Sequence, residues 1–264
     1  MPHRYQPWIE QIKHLCGAAN QRHIDVVVDQ AACDLPILPA LDVIEPHIPW
    51  FSLFSGTPEE ALLDHAPILM RISLDDWRHT HWLEQVIEHF GASPCLLLLI
   101  SPMPFNAFAR RLQAMSQLEW GGQSGLLRFY DPRVLPQLLA NVLNDEQREK
   151  LLQLALFFSW LDRDQCPIWQ PGTYRLDQVP VTTPLPIALN DAQFDQLGCI
   201  SDAHQLMRIA RAKLPALSQE QCFARCYQIA MKAAMESYFG DLKVYAELEL
   251  VKIFSRNKGC GHGE

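Results

Sequence analysis

The first 165 residues alternate short apolar runs with segments of helical periodicity, and this alternation constrains the fold more than any other feature of the chain. The run Ile24–Val28 (IDVVV) is rich in β-branched residues, which favours a strand buried on both faces. Pro67–Ile72 and Cys95–Ile100 have a similar character, and the stretch between them predicts a helix over Thr80–Phe90. Strands that alternate with helices are typical of an α/β lobe. We therefore expect a central mixed sheet, partly parallel, with helices packed against it.

A proline-rich segment, residues 162–189, follows this region and shows no helical periodicity. Beyond it, Asn190 and Ser218 each stand three residues before a glutamine and so predict helix starts with a capping box, while Gly198 is a helix stop signal. This pattern predicts an all-helical C-terminal lobe of about four helices. The expected organisation is an α/β domain over residues 1–165, a Pro-rich linker over 166–189 and a helical lobe over 190–264.

The negative charge of the chain is concentrated in one stretch. The net charge is −8, and residues 20–100 alone carry twelve Asp and Glu against three Arg. An acidic surface repels phosphate, so the charge argues against nucleic acid as a partner. Two interpretations of the acidic stretch stay open, a solvated face that aids solubility and a docking face for a basic partner.

The distribution of apolar residues and cysteines favours a cytoplasmic protein. The N-terminal residues lack the apolar core of a signal peptide, and the longest apolar runs fall short of the roughly 20 residues of a membrane helix. None of the eight cysteines forms a C-x-x-C pair, and several lie inside apolar segments. We therefore expect reduced, buried thiols and no membrane insertion.

Acidic side chains at the end of the first strand are the strongest catalytic candidates. Asp29 and Asp34 follow that strand, where α/β enzymes place catalytic groups, and His65, His79 and His81 lie further along the chain. These residues define one alternative, a metal-dependent hydrolase. However, the sequence has no Gly-rich phosphate loop, nucleophile elbow or H-E-x-x-H helix. We expect no catalytic residue, no bound metal and no cofactor.

The most unusual local sequence is Arg128–Arg133 (RFYDPR). A strand over Leu126–Tyr130 would place Arg128 and Tyr130 on one face. Asp131 then caps a helix over Arg133–Leu143 and can hold either arginine in a bidentate pair. The segment is interpreted either as a rigid corner between strand and helix or as a site that binds a peptide carboxylate or an acidic side chain.

A second binding candidate is the aromatic segment that contains Trp50 and Phe51. The run Ile48–Phe54 (IPWFSLF) predicts an extended segment. Large aromatic side chains are common interface hot spots, so these two residues are either core residues or an exposed anchor for a partner.

Four features of the chain form a recognisable set. They are the strand that ends in Asp29, Leu53–Glu60 (LFSGTPEE) followed by the strand Ala66–Leu69, Ser101-Pro102, and Leu127–Leu135 (LRFYDPRVL). On these features the chain resembles the effector adaptors of type VI secretion, also called effector chaperones, long catalogued only as a domain of unknown function. The resemblance covers roughly residues 20–165.

The resemblance implies a non-enzymatic function. Family members bind a toxic effector in the donor cytoplasm and help to load it onto the VgrG spike. The residues carried over as a recognition site or corner are Arg128, Tyr130, Asp131 and Arg133. The resemblance leads to two hypotheses. The first is that the α/β lobe holds the recognition surface shared by the family. The second is that an apolar stripe at helical spacing around Phe223, in the helical lobe, selects the cargo. A third possibility is a structural subunit of the secretion machine.

Overall fold

The computed structural model describes residues 4–175 and 185–259, with side chains as far as Val251. The chain divides into two compact units, Met1–Leu189 and Asn190–Glu264. Among the described helices, none is both long and apolar enough to cross a membrane.

Nine strands form two sheets in the described part of the first unit. Their bounds are β1 (His23–Asp29), β2 (Trp50–Ser52), β3 (Pro67–Ser73), β4 (Leu96–Ile100), β5 (Gln117–Trp120), β6 (Gln123–Leu126), β7 (Phe157–Leu161), β8 (Pro167–Pro171) and β9 (Ile187–Ala188). The main sheet has six strands in the order β2–β3–β1–β4–β7–β8, and β6–β5–β9 form a small sheet.

Every neighbouring pair in the six-stranded sheet is antiparallel. The expected α/β lobe is present, but its central sheet is antiparallel where we expected a mixed, partly parallel one. The parallel pair in the described chain joins β5 to β9 in the small sheet. The reason is that β1 lies between β3 and β4 and runs opposite to both. The strand–helix–strand unit that suggested parallel pairing is therefore split by the earlier strand.

Six α-helices accompany the sheets in the residues of the first unit that the structure describes. They are α1 (Gln6–Ala18), α2 (Leu38–Leu41), α3 (Trp77–Phe90), α4 (Phe105–Met115), α5 (Leu135–Gln137) and α6 (Asp145–Leu152). Helix α3 begins three residues before its predicted start because the Asp76 side chain accepts a hydrogen bond from Arg78 N at 2.8 Å.

The main core lies between one face of the six-stranded sheet and helices α1 and α3. Alternate residues of the central strands point into it, and each buried aliphatic side chain contributes about 1.5–3 kcal/mol. The residues that pack there include Val26, Val28, Met70, Leu98, Ile12 and Ile87. The indole N–H of Trp8 in α1 donates to Ser159 Oγ in β7 at 2.8 Å, which fixes the helix on the sheet.

The predicted strand over Leu126–Tyr130 is wrong beyond Leu126, where β6 ends. Phe129 N donates to Leu127 O at 2.8 Å and Asp131 N donates to Arg128 O at 3.1 Å, so two successive turns replace the strand. The helix expected over Arg133–Leu143 is also shorter. Its place is taken by α5 and a π-helical turn, Leu138–Val142.

The region after α6 also differs from expectation. Asn144 stands three residues before Gln147, a capping-box spacing that predicts a helix running to about Trp160. The capping box is present, but α6 ends at Leu152 and Phe157–Leu161 forms β7, as suits an aromatic run. Pro167–Pro171, which the sequence assigns to the linker, forms the edge strand β8, where proline is tolerated because no further strand needs its N–H. Residues 176–184 of that linker lie outside the described residues.

The second unit consists of three helices in its described residues, α7 (Asp191–Lys213), α8 (Gln219–Met235) and α9 (Leu242–Gly259). Both predicted capping boxes are confirmed, at Asn190 and Ser218. Gly198 does not stop a helix, since α7 runs through it, and this is why three helices replace the expected four. The stripe around Phe223 is buried, and the Phe223 ring lies 4.8 Å from that of His204 in α7. The stripe therefore forms the core of this unit and does not present a surface to cargo.

Candidate functional site

Asp29 ends β1 on the face of the sheet opposite the main core, because its neighbour Val28 packs into that core. Only 1% of Asp29 is exposed. Its backbone N–H donates to Cys95 O at 2.9 Å, and its carboxylate accepts a hydrogen bond from Ala31 N at 3.3 Å. The strand end and the following turn therefore fix this carboxylate in one position.

Arg128, which lies 99 residues further along the chain, reaches the Asp29 carboxylate. Arg128 Nη2 lies 2.5 Å from Asp29 Oδ2 and 3.3 Å from Asp131 Oδ2. The two turns over Leu127–Asp131 direct the guanidinium back to the end of β1. One arginine thus joins two buried carboxylates that are far apart in the sequence.

Asp131 holds the second arginine in the bidentate pair that the sequence allows. Arg133 Nε donates to Asp131 Oδ1 at 3.0 Å and Arg133 Nη2 donates to Asp131 Oδ2 at 2.8 Å. The same carboxylate accepts a hydrogen bond from the Arg133 backbone N–H at 2.8 Å. Arg163 lies in the loop between β7 and β8, and its Nη2 donates to the Arg133 carbonyl at 2.9 Å. This hydrogen bond holds the turn at Arg133 in place. We refer to Asp29, Arg128, Asp131 and Arg133 as the arginine corner.

Burial and pairing set the protonation of the arginine corner. Burial raises the pKa of the Asp29 carboxyl above its usual value, and the Arg128 guanidinium opposes this shift. The hydrogen bonds to Asp131 raise the pKa of Arg133. Burial also raises the pKa of the Tyr130 hydroxyl, which contacts Arg128. At neutral pH both guanidinium groups are therefore charged, each against a buried aspartate, and the Tyr130 phenol beside them is neutral.

The structure brings together four of the six predicted binding residues, Arg128, Tyr130, Asp131 and Arg133. Trp50 and Phe51 lie elsewhere, on the edge strand β2, and point to opposite faces of the sheet.

Each of the two β2 aromatics has its own contacts. The Trp50 side chain packs against the main core, and the Arg110 guanidinium lies 5.0 Å from the centre of the Phe51 ring. Both are partly buried. In the contacts of the described residues, neither belongs to the arginine corner.

The sequence did not predict a second buried ion pair, between Asp25 in β1 and Arg71 in β3. The two residues are directly opposite in the antiparallel register. Arg71 Nε donates to Asp25 Oδ1 at 2.7 Å, Nη2 donates to Oδ2 at 2.8 Å, and Nη1 donates to the Met103 carbonyl at 2.9 Å. Asp25 is completely buried. The sequence did contain a signal for this pair, because Asp25 lies inside one apolar run and Arg71, of opposite charge, lies inside another.

The residues of the metal-dependent alternative are not arranged as a metal site. Asp29 is paired with Arg128, while Asp34 is exposed. His79 is buried in structural hydrogen bonds, since its Nε2 lies 2.7 Å from Pro46 O and its Nδ1 accepts from Ser73 N at 3.3 Å. Within residues 4–175 and 185–259, no group of three or more His, Cys, Asp or Glu side chains could hold a metal ion.

Comparison with known proteins gives one match. Neither the curated proteins nor the solved structures contain a significant match to this chain. A family described as "Domain of unknown function (DUF4123)" matches residues 26–150. This stretch includes the whole arginine corner and most of the main sheet, so the part of the chain that holds the candidate site is similar to the DUF4123 family.

Proposed function

We propose that this chain is a non-enzymatic adaptor of type VI secretion, which binds a toxic effector in the cytoplasm and helps to load it onto a VgrG-type spike protein. The proposal rests on the resemblance of Leu53–Glu60 and Leu127–Leu135 to the effector adaptors. Both segments lie within residues 26–150, which match the DUF4123 family. The effector and the spike protein are its proposed partners, and it needs no cofactor for this role.

The observation that carries the proposal is the arrangement of the arginine corner. The Arg128 and Arg133 side chains are 41% and 35% exposed, whereas those of Asp29 and Asp131 are 1% exposed. The contacts to the carboxylates use only some of the five N–H donors of each guanidinium. Because both side chains are already held, an acidic or carbonyl group of a partner binds them with little further loss of conformational entropy.

The same arrangement favours binding over catalysis. A general base needs a carboxylate that reaches its substrate. Both carboxylates of the arginine corner are buried and face arginines of their own chain. The accessible groups are guanidinium donors, which recognise a carboxylate without changing a covalent bond.

Affinity capture of the tagged protein from its native host, followed by mass spectrometry, tests this function. We expect a protein with a toxin domain and a VgrG-type spike to co-purify. Stable binding to sheath or baseplate in a strain that lacks the effector would instead support a structural subunit. Stoichiometric zinc or manganese in the purified protein would support the metal-dependent hydrolase.

A further inference from the structure

Two segments of the first unit, residues 31–45 after β1 and residues 59–65 before β3, lie against each other. Gln30 joins them, because its Nε2 donates to Leu63 O at 2.8 Å and its Oε1 accepts from Ile37 N at 3.3 Å. Both segments expose large apolar side chains, which mark interaction sites when they cluster among polar residues. They are Leu35, Val43, Leu62 and Leu63, which are 39–79% exposed. We refer to residues 31–45 and 59–65 as the acidic face, for the charges described below.

A groove of about 580 Å³ opens at the acidic face, between the α2 region and α3. Gln85, Glu88 and His89 are the polar residues of its lining, and the lining contains no Lys or Arg. This volume lies within the range of ligand pockets, about 300–1,000 Å³, so large apolar side chains of a partner fit there. Its apolar walls include Leu35, Pro36 and Ala40 on one side and Trp82, Val86 and Phe90 of α3 on the other.

The acidic face carries charges that the chain leaves without a counter-ion. No Lys or Arg occurs between Arg22 and Arg71 in the sequence. Exposed carboxylates elsewhere are often paired, as Asp75 is with Arg22 and Glu146 is with Lys150. The face has five exposed carboxylates, none of which forms an ion pair within residues 4–175 and 185–259. They are Asp34, Asp42, Glu45, Glu60 and Asp64.

These charges decide which kind of partner the groove fits. A second copy that paired symmetrically would bring the same carboxylates against the face, and nucleic acid or an anionic membrane would also be repelled. A polypeptide that carries lysine or arginine is attracted by the unpaired carboxylates, and its apolar side chains leave water when they enter the groove.

We propose that the acidic face binds a basic amphipathic segment of a partner protein. The large apolar side chains of that segment enter the groove between the α2 region and α3, and its cations meet Asp34 and Asp42. These two residues lie next to Leu35 and close to Ala40 in the sequence, and both of those residues line the groove. The proposal goes beyond the adaptor function and uses no residue of the arginine corner, so either can fail without the other.

Fluorescence anisotropy with labelled synthetic peptides tests the proposal on the full chain. The probes are three peptides of about 18 residues, or five helical turns. The first places leucine and lysine on opposite helical faces, the second has glutamate in place of lysine, and the third has serine in place of leucine. We expect saturable binding of the leucine–lysine peptide alone, which weakens as salt screens the charges.

Variants of the acidic face locate the binding. L35S/V43S removes two exposed apolar side chains and D34N/D42N/E45Q removes three unpaired charges. Each variant should weaken the leucine–lysine peptide about five-fold or more, because binding needs both the apolar contact and the opposite charge. All five positions are exposed, so thermal melting should match the wild type.

The matched control is E10Q/E119Q/E149Q, which removes three exposed carboxylates of the first unit outside the acidic face. It should bind the leucine–lysine peptide as tightly as the wild type does. The proposal is overturned if that peptide does not bind, or if either other peptide binds as tightly. It is equally overturned if L35S/V43S binds as the wild type does, or if the control weakens binding as much as D34N/D42N/E45Q, since attraction to net charge alone would then explain the result.

Discussion

Replacement of Arg71 by methionine should destabilise the first unit strongly, because it removes the guanidinium that pairs with the buried Asp25 carboxylate and leaves only His23, whose Nε2 lies 3.9 Å away. Asp25 is 0% exposed and the Arg71 side chain is 15% exposed, so water cannot replace the lost partner. Breaking a buried ion pair of this kind costs about 3–5 kcal/mol. Two lost charged hydrogen bonds, at about 1.5–3 kcal/mol each, give a similar value. Urea denaturation of wild type and R71M should show this difference in the free energy of unfolding.

The matched control is the double variant D25L/R71M, which removes both charges and keeps apolar groups in their place. Its free energy of unfolding should return to within about 1–2 kcal/mol of the wild type, since such replacements are often neutral. If the double variant is as unstable as R71M, the cost arises from lost packing of Arg71 against Phe105 and not from an unpaired charge. That result would refute the reasoning.

The R71M penalty should also depend on pH. Burial raises the pKa of Asp25 above its usual value of 3.8, and Arg71 opposes this shift. Without Arg71 the folded-state pKa rises further above the unfolded value, so stability falls as the pH rises from the unfolded value to the folded one. We therefore expect R71M to differ least from wild type at acid pH and most at neutral pH, measured by urea denaturation at pH 4 and pH 7.5.

Three further predictions follow from single contacts. S218A should lower the free energy of unfolding of the second unit by about 1 kcal/mol in urea denaturation, because it removes a capping box. Among the described cysteines, the exposed Cys166 should react with a thiol reagent at pH 8, whereas Cys16 should stay unreactive until the protein unfolds, because burial raises its pKa to about 12. G172A should lower the melting temperature by several degrees, since its Cβ would lie 1.9 Å from the Ala155 carbonyl oxygen, which no side-chain rotation can relieve.

Local patterns in the sequence predicted the elements that depend only on neighbouring residues. Strand β1 follows from its β-branched run, and the capping boxes at Asn144, Asn190 and Ser218 were all found with both hydrogen bonds. A capping box joins residues three apart, so its geometry is contained in the local sequence. Gly198 shows the limit of such signals, because burial of α7 residues on both sides outweighs the small helical cost of one glycine.

The direction of the strands could not be predicted from local patterns. The β3–α3–β4 segment has the appearance of a parallel unit, but β1 occupies the position between its strands. Which strand lies between two others is a property of the whole sheet. The same limit applies to two short apolar runs, Phe157–Leu161 and Leu126–Tyr130. A run of this length is too short for its periodicity to distinguish a strand from a helix or a turn.

The contacts of the candidate site show the same difference between local and long-range interactions. The pair between Asp131 and Arg133 joins residues two apart and is one of the two bidentate pairs that the sequence allowed. The contact of Arg128 with Asp29 spans 99 residues and depends on two turns that the sequence did not indicate.

The central claim is that this protein binds a polypeptide through the arginine corner, and quantitative capture from the native host tests it most directly. The informative variant is R128K/R133K, which keeps both charges but cannot form the same planar contacts. R22Q is the matched control, because it removes an arginine from an exposed ion pair with Asp75.

We expect R128K/R133K to recover the effector and the spike about 10–150-fold less than wild type, which corresponds to a loss of about 1.5–3 kcal/mol for charged hydrogen bonds. The R22Q variant should recover both partners at the wild-type level, and all three proteins should melt cooperatively. Equal recovery with folded R128K/R133K and wild type would contradict the claim.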